Sequence, residues 1–385
     1  MHTKTSKSMA GIYLHIPFCK TRCIYCDFYS TTRSEIKDRY VSALCKELQI
    51  RKSYLGNEPV ETIYFGGGTP SQLSRQDFEK IFSAIKKEFN LEQCNEITLE
   101  ANPDDLSPEY IKELSPLPFN RISIGIQTFN EQTLRLLKRR HTAEQAIRAV
   151  KECRLAGFQN ISIDLMYGLP GETAESWKAD LEQAISLNVE HISAYHLIYE
   201  EGTPLYEMLL KHKVEEADEE SSVDFFALMI KYLTQTGFQH YEISNFCMPD
   251  KYSRHNSSYW TGKKYLGCGP SAHSFDGSTR QWNVSSLDQY IDAIEKGIPV
   301  VEIEELSITT RYNDFVITSL RTMWGLSLNR LKEEFGIELK QYCLDNAKAY
   351  LDTGKLELRN NTLFLSKDGI FISDGIMSDL LWVED

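Results

Sequence analysis

The sequence predicts an α/β protein built on a partial or complete (β/α) barrel, followed by a small α+β domain. Its 385 residues exceed one average domain. Apolar strand segments alternate with helical segments through the first two-thirds, an order that favours right-handed βαβ units around a parallel sheet. Cysteines, glycines and polar residues follow the ends of different strands, as in barrel enzymes. A doubly wound open sheet, the alternative fold, would concentrate its site at one switch point.

The predicted barrel occupies residues 1–243. A helix beginning at Ser34 carries apolar residues four positions apart, and further helices are predicted over 142–156 and 174–187. Each predicted strand is short and apolar, and most are followed by Pro, Gly or polar residues. The predicted strands cover residues 13–16, 62–65, 97–99, 122–126, 161–165 and 192–195.

The strand–helix alternation ends near residue 243. Residues 244–300 are predicted to form an aromatic-rich connecting segment with little periodicity, and such long irregular segments are usually functional or disordered. Residues 301–385 predict helices over 312–322 and 327–350 and a hairpin, which resemble a winged-helix module. Because this domain contains 9 Lys and Arg against 15 Asp and Glu, we expect a packing or protein-partner role and no DNA binding.

Composition excludes several classes of protein. The net charge of −13 makes the chain a poor non-specific partner for nucleic acids or anionic membranes. No run of 18 apolar residues is present, and the polar segment Met1 to Met9 is not followed by the apolar core of a secretory signal. We therefore expect a cytoplasmic protein whose nine cysteines are mostly reduced. Any contact with a membrane would be peripheral.

Three of the cysteines are clustered. Cys19, Cys23 and Cys26 follow the first predicted strand with the spacing Cys-x3-Cys-x2-Cys. A structural zinc site would need a fourth ligand, for which His15 is the candidate. A 4Fe–4S cluster takes one ligand per iron, so three cysteines would leave one iron open for chemistry or ligand binding. We favour the cluster.

This spacing resembles the signature of the radical S-adenosylmethionine (SAM) superfamily, and within it the oxygen-independent coproporphyrinogen III oxidase family. The segments 13–19, 124–129 and 168–171 carry the second resemblance, which spans roughly residues 11–380. The resemblance implies a radical SAM barrel in which the three cysteines hold a 4Fe–4S cluster. It also implies that SAM binds the open iron through its amino and carboxylate groups, and that the reduced cluster splits off a 5′-deoxyadenosyl radical.

The resemblance further implies a set of SAM-binding residues. The glycine-rich segment at 66–70 would approach the methionine amino group, because glycine lacks a Cβ. Arg139 would pair with the carboxylate, Gln127 and Asp164 would hold polar groups of the nucleoside, and Glu100 would bind ammonium or ribose groups. The complete set is Tyr13, Tyr25, Gly67, Gly68, Thr69, Glu100, Gln127, Arg139 and Asp164.

The family contains oxidases and heme chaperones, and the chain resembles the chaperones at three places. Phe28 stands where the oxidases carry a fourth cysteine, and only 18 residues precede Cys19, whereas the oxidases have a long N-terminal extension. Residues 255–260 match the chaperones' His-Asn-x-x-Tyr-Trp motif. Since histidine is a common axial ligand of heme iron, His255 is the predicted heme ligand and Cys268 the weaker candidate.

The resemblance therefore implies a heme chaperone without coproporphyrinogen oxidase activity. It would bind the cluster, SAM and heme, accept electrons from a donor such as flavodoxin or ferredoxin, and deliver heme to acceptor proteins, including membrane-bound ones. The alternative is an oxidase that decarboxylates coproporphyrinogen III to protoporphyrinogen IX. A third hypothesis, a radical enzyme acting on RNA, is disfavoured by the negative charge.

Overall fold

A computed structural model describes residues 9–299 and 301–383. The prediction that no secretory signal is present concerns the N-terminal segment, and residues 1–8 of that segment lie outside the described residues. The strands are β1 (Ala10–Ile16), β2 (Val60–Gly67), β3 (Glu96–Ala101), β4 (Arg121–Gln127), β5 (Ile161–Tyr167), β6 (His191–His196), β7 (Gln239–Glu242), β8 (Asn245–Cys247), β9 (Tyr265–Cys268), β10 (His273–Phe275), β11 (Thr279–Asn283), β12 (Val301–Glu305), β13 (Leu326–Ser327), β14 (Leu356–Arg359) and β15 (Thr362–Leu365).

Helices connect most of these strands. They are α1 (Lys37–Ile50), α2 (Arg75–Glu88), α3 (Pro108–Leu114), α4 (Glu131–Leu136), α5 (Ala143–Leu155), α6 (Ala174–Ser186), α7 (Pro204–Leu210), α8 (Glu219–Gln235), α9 (Arg254–Trp260), α10 (Leu287–Glu295), α11 (Ile308–Leu320), α12 (Leu328–Asp352) and α13 (Ser373–Asp379). Within the described part of the chain, no helix is long and apolar enough to cross a lipid bilayer.

The core of the molecule is a partial barrel. Strands β1 to β6 pair in sequence order, and every pair among them is parallel. The full sheet has the order β12-β11-β10-β9-β1-β2-β3-β4-β5-β6-β8-β7, so it ends in two edges. A doubly wound sheet requires a point at which the strand order reverses. Strands β1 to β6 contain no such reversal. The predicted fold class is confirmed, in its partial form.

Successive side chains of a barrel strand point alternately into the apolar core and into the interior of the barrel. On β4, Ile122, Ile124 and Ile126 are fully buried in the main apolar core. The intervening residues of β4, from Arg121 to Gln127, line a cavity inside the barrel. This two-residue period is the normal consequence of strand geometry. It gives the barrel an apolar outer layer and a polar interior.

The prediction of an irregular segment over residues 244–300 is wrong. Strand β9 pairs in parallel with β1, β10 and β11 extend the same sheet, and α9 lies between β8 and β9. These strands have only three to five residues, too few for alternation to be visible. Strand β12 also pairs with β11, so the sheet crosses both predicted boundaries, 243/244 and 300/301.

The C-terminal helices and hairpin form as the sequence predicts. Asn360 and Asn361 have positive φ angles of 50° and 59°, which suits the two-residue turn between β14 and β15. The structure adds β13, which pairs with β15, and a break in α12 at Gly336, where φ is 89°. The resulting order, helix–strand–two helices–hairpin, surrounds an apolar core of its own.

Candidate cofactor cavity

A cavity of about 560 Å³ opens at the carboxyl ends of β1 to β6. Eleven of the residues predicted to bind the cluster or SAM line it, although they come from separate parts of the chain. They are Cys19, Cys23, Tyr25, Cys26, Gly67, Gly68, Thr69, Glu100, Gln127, Arg139 and Asp164. The parallel strands bring these residues together, because all six strands end at the same face.

The loop that carries the three cysteines is fixed at its base and at its middle. At the base, the carbonyl oxygen of Thr31 accepts a hydrogen bond from the amide of Cys19 at 2.8 Å. The amide of Thr31 donates to the carbonyl oxygen of Pro17 at 2.7 Å. In the middle, the side chain of Ile24 is buried in a small apolar cluster with Leu137 and other residues. The loop therefore presents its thiols from a prearranged backbone.

The three thiols fit a cluster better than a single ion. Across the described residues, no three His, Cys, Asp or Glu side chains converge on one metal position. His15, the candidate fourth zinc ligand, places one ring nitrogen 2.9 Å from the carbonyl oxygen of Tyr29 and the other 3.2 Å from the hydroxyl of Tyr13. A 4Fe–4S cluster needs only one thiolate per iron, so the donor set fits it.

Burial makes the thiols of the cysteine loop harder to ionise in the absence of a cation. Burial raises the pKa of Cys26 to about 11 and also raises the pKa of Cys19. These thiols are therefore protonated at neutral pH unless a cation replaces the proton. Arg139 donates through Nη1 to Sγ of Cys23 at 3.4 Å, and Thr69 Oγ1 lies 3.3 Å from Sγ of Cys19.

The glycine segment runs alongside the end of β1, where Gly66 and Gly67 pair with His15 and Ile16. A Cβ on Gly67 would lie 2.8 Å from the ring of His15, and one on Gly68 would lie 2.8 Å from the backbone of Pro17. Gly67 also has a φ angle of 111°, which glycine tolerates at no steric cost. The glycines are needed for this close approach, which places the backbone of the segment against the cysteine loop.

Gln127 and Arg139 are held at the end of β4. Gln127 adopts a φ angle of 73° beside a register shift between β4 and β5. A non-glycine residue in that region of the Ramachandran plot is uncommon and often marks a functional site. Arg139 donates through Nη2 to Oδ1 of Asn102 at 2.7 Å and to the carbonyl of Gly125. Its guanidinium is thereby aimed at the cysteine loop.

Two carboxylates, those of Glu100 and Asp164, also line the cavity. Burial raises the pKa of Glu100 to about 7. A hydrogen bond from the hydroxyl of Tyr64, at 2.6 Å, opposes this rise by stabilising the carboxylate. Burial likewise raises the pKa of Asp164 to about 6, and Ser123 donates to this carboxylate at 3.3 Å. Such carboxylates are poised to gain a cationic or hydroxyl-bearing ligand.

Several lining residues were not assigned from the sequence. The most unusual is Arg121, which is 1% exposed and whose Nε and Nη1 have no hydrogen-bond partner among the described residues. Arg121 precedes Gln127 by six residues on the same face of β4, so strand alternation could have found it. The others include Tyr64, Asn102, Ser123, Ser193, Tyr195 and Asn256.

Two predicted residues lie outside the cavity wall. Tyr13 packs behind the glycine segment, where a Cβ on Gly66 would lie 2.9 Å from its ring, so its direct contact with SAM stays a prediction. His255 is fully buried at the start of α9. Its Nδ1 lies 2.8 Å from Thr62 Oγ1 and its Nε2 lies 2.8 Å from the hydroxyl of Tyr259. In this conformation neither nitrogen is available to a heme iron.

Comparison with known proteins places the chain in a family. Residues 13–184 match the radical SAM superfamily, and residues 306–372 match the HemN C-terminal domain. The heme chaperone HemW of Bacillus subtilis is 33% identical over 97% of this chain and 99% of its own length. The heme chaperone HemW of Lactococcus lactis is 36% identical over 84% of each chain. This chain belongs to the HemW family of radical SAM proteins.

A solved structure confirms the fold of this HemW-family chain. Coproporphyrinogen III oxidase (HemN) from Escherichia coli, a radical SAM enzyme, superposes with a TM-score of 0.83 over 97% of this chain and 90% of that chain. At 23% identity, this similarity defines the architecture and leaves the reaction open. Membership of the radical SAM superfamily implies a 4Fe–4S cluster and SAM, which are the groups that the cavity wall fits.

Proposed function

We propose that this chain is a heme chaperone that holds a 4Fe–4S cluster and SAM in the cofactor cavity, binds heme and transfers it to acceptor proteins. One observation carries the proposal. The three clustered cysteines line a single cavity together with Arg139, Glu100 and Asp164, in a chain similar over nearly its whole length to heme chaperones.

The residues of the wall have distinct roles in this proposal. The thiolates of Cys19, Cys23 and Cys26 would each bind one iron. Arg139, directed at the cysteine loop by Asn102, would bind the carboxylate of SAM, a charge-assisted contact. Glu100 and Asp164 would accept hydrogen bonds from ammonium or hydroxyl groups. When bound, the cluster supplies a single electron at a potential that its thiolate ligands and their hydrogen bonds tune.

Phe28 argues against the oxidase alternative. This side chain lines the cavity and is 68% exposed. It stands where the resembling oxidases carry a fourth cysteine. A phenyl ring has no donor, acceptor or thiolate, so it cannot ligate a metal or transfer a proton at that position.

An assay of both activities tests the proposal. Anaerobically reconstituted protein is supplied with SAM, a reductant and coproporphyrinogen III, and in parallel is titrated with hemin. We expect saturation at about one heme per chain, the stoichiometry of a single axially ligated site, and no protoporphyrinogen IX. An authentic oxidase in the same mixture is the positive control. Formation of protoporphyrinogen IX by this chain would falsify the chaperone assignment.

The axial ligand of heme stays a prediction. For His255 to bind iron, its hydrogen bonds to Thr62 and Tyr259 would have to break. Cys268 is also fully buried. If His255 is the ligand, His255→Ala should shift the Soret band. An unchanged Soret band would place the ligand elsewhere without affecting the chaperone proposal.

The proposed partners follow from the cofactors. A reduced cluster requires a small electron donor, such as flavodoxin or ferredoxin, and a chaperone requires heme-accepting proteins, among them membrane-bound ones. We propose a cytoplasmic location with peripheral membrane contact where such an acceptor resides. Co-fractionation of the native protein with membranes, compared with and without added heme, measures that contact.

A further inference from the structure

Three large apolar side chains surround the mouth of the cofactor cavity. Phe28, Tyr195 and Ile198 line the cavity and are 68%, 43% and 64% exposed. We call these three residues the apolar rim. Single exposed apolar residues are normal, whereas several around one opening indicate a binding surface. The cluster, the SAM-binding residues and the hydrogen bonds described above do not account for them.

The apolar rim is preformed. Phe28 follows the cysteine loop after β1, and Ile198 lies in the segment after β6. These two segments are joined, because the amide of Leu205 donates to the carbonyl of Ile24 at 3.0 Å. Leu197, next to Ile198, is buried in the same small apolar cluster as Ile24. The two segments that carry Phe28 and Ile198 are thus held together, while the side chains of both residues remain exposed.

The charges around the mouth are asymmetric. Arg22 is exposed, lines the same cavity and makes no hydrogen bond or ion pair with another described residue. Asp27 and Glu200 also line the cavity and would repel a carboxylate. A ligand with a flat apolar face and carboxylates along one edge would therefore be favoured in one orientation, with its carboxylates toward Arg22.

We propose that heme packs one face on the apolar rim, across the mouth of the cofactor cavity, with a propionate directed toward Arg22. The proposal rests on the proposed function, since it assumes that the chain binds heme. Because His255 lies at the amino end of the barrel, heme on the apolar rim would take its axial ligand from another residue. It gives Phe28 a direct role, because the side chain that replaces the oxidases' cysteine becomes a surface for the porphyrin. Aromatic and aliphatic side chains provide the large apolar contact that a porphyrin face requires.

Hemin titrations of rim variants test the proposal. Phe28→Ala and Ile198→Ala remove exposed side chains from different loops, so neither is expected to impair folding. We expect each to weaken heme binding by about tenfold, and the double variant by more. Leu155→Ala, at an 81% exposed leucine of α5 outside the cavity, is the matched control and should bind heme normally. Iron content per chain verifies that the cysteine loop is intact in every variant.

Arg22 is tested with a change in the ligand. Arg22→Gln should weaken hemin binding about three- to tenfold at low salt and less at high salt. With heme dimethyl ester, which lacks the propionate charges, wild type and Arg22→Gln should bind equally. A persisting difference with the ester would overturn the role of Arg22 as the propionate partner.

The outcomes separate this proposal from the proposed function. If the wild type binds no heme, the proposed function itself fails. If the wild type binds heme and the double rim variant binds it equally well, the rim site is wrong and the chaperone function stands. If the double variant keeps its heme affinity and loses only transfer to an acceptor protein, the rim contacts a protein partner, and the heme site proposed here is again wrong.

Discussion

The barrel holds polar side chains at both ends. His255 at the amino end and Arg139 at the carboxyl end differ in whether all of their side-chain nitrogens have protein partners. At the amino end, the backbone amides of Arg254 and His255 donate to Glu96 at 2.9 Å, and both ring nitrogens of His255 are hydrogen-bonded. At the carboxyl end, Arg139 retains an Nε without a partner among the described residues. We call the first group, His255 with Thr62, Glu96 and Tyr259, the α9 plug.

The difference indicates what each end does. Buried polar groups that satisfy one another stabilise the fold, whereas those with unused hydrogen-bonding capacity face a ligand. The α9 plug also supports the cavity from below, since the ring of His255 stacks on that of Tyr64 at 5.0 Å and Tyr64 donates to Glu100. Variants at the two ends should therefore affect different measurable properties.

The largest effect is expected at the cysteines. Replacing Cys19, Cys23 or Cys26 by Ala should abolish the cluster, because each is proposed to supply one iron ligand. Reconstituted wild type should contain about four irons per chain and absorb broadly near 400 nm. Cys45→Ala, at a half-buried cysteine of α1, should leave both values unchanged. Retention of the full cluster in all three single variants would contradict the assignment.

The next largest effect concerns SAM. Asp164→Asn preserves the shape of the side chain and removes its charge. Arg139→Gln shortens the side chain and replaces the guanidinium by a neutral amide. A charge-assisted hydrogen bond contributes roughly 1.5–3 kcal/mol, so SAM affinity should fall about tenfold to a hundredfold while the cluster is retained. Equilibrium binding by isothermal titration calorimetry measures this loss. Unchanged affinity in both variants would remove these residues from the SAM site.

A smaller effect is expected from pH. The pKa values of about 7 for Glu100 and about 6 for Asp164 exceed the ordinary values of 4.5 and 3.8. A cationic ligand prefers the ionised carboxylates, so SAM affinity should rise about tenfold between pH 5.5 and 8. The ligand-free protein should show the opposite trend. Its folded state binds protons more tightly than its unfolded state, so stability is lost as pH rises from about 4 to 7. Glu100→Gln should reduce both dependences, and a pH-independent affinity would contradict the model.

The smallest effect on SAM binding is expected in the α9 plug. His255→Ala leaves Thr62 and Tyr259 without their partner and creates a cavity, so the free energy of unfolding should fall by about 2–4 kcal/mol. SAM affinity should change less than about twofold, within the range of a lost indirect contact. Denaturant unfolding and calorimetry on the same variant measure the two quantities. A large loss of SAM affinity without a loss of stability would erase the distinction between the two ends.

The sequence predicted the part of the fold in which apolar strand runs and the cofactor-binding residues occur together. The six parallel strands were predicted because each is an apolar run, most of them followed by Gly, Pro or polar residues. The residues of the cavity wall were predicted from the resemblance to the family's motifs, which occur in the same order along this chain. The strands β8 to β11 were missed because pairing with the existing sheet stabilises them, and their own alternation is too short to register. His255 shows the other limit. The motif that contains it is visible in the sequence, but its hydrogen bonds to Thr62 and Tyr259 depend on the folded barrel.

The most direct test of the account is the EPR spectrum of the reduced cluster, recorded with and without SAM. The cavity wall is argued to place the cysteines and the SAM-binding residues at one site. Adding SAM should therefore change the cluster spectrum in the wild type and in His255→Ala, and should have little effect in Arg139→Gln at the same concentration. A reconstituted wild-type cluster whose spectrum is identical with and without saturating SAM would contradict the account.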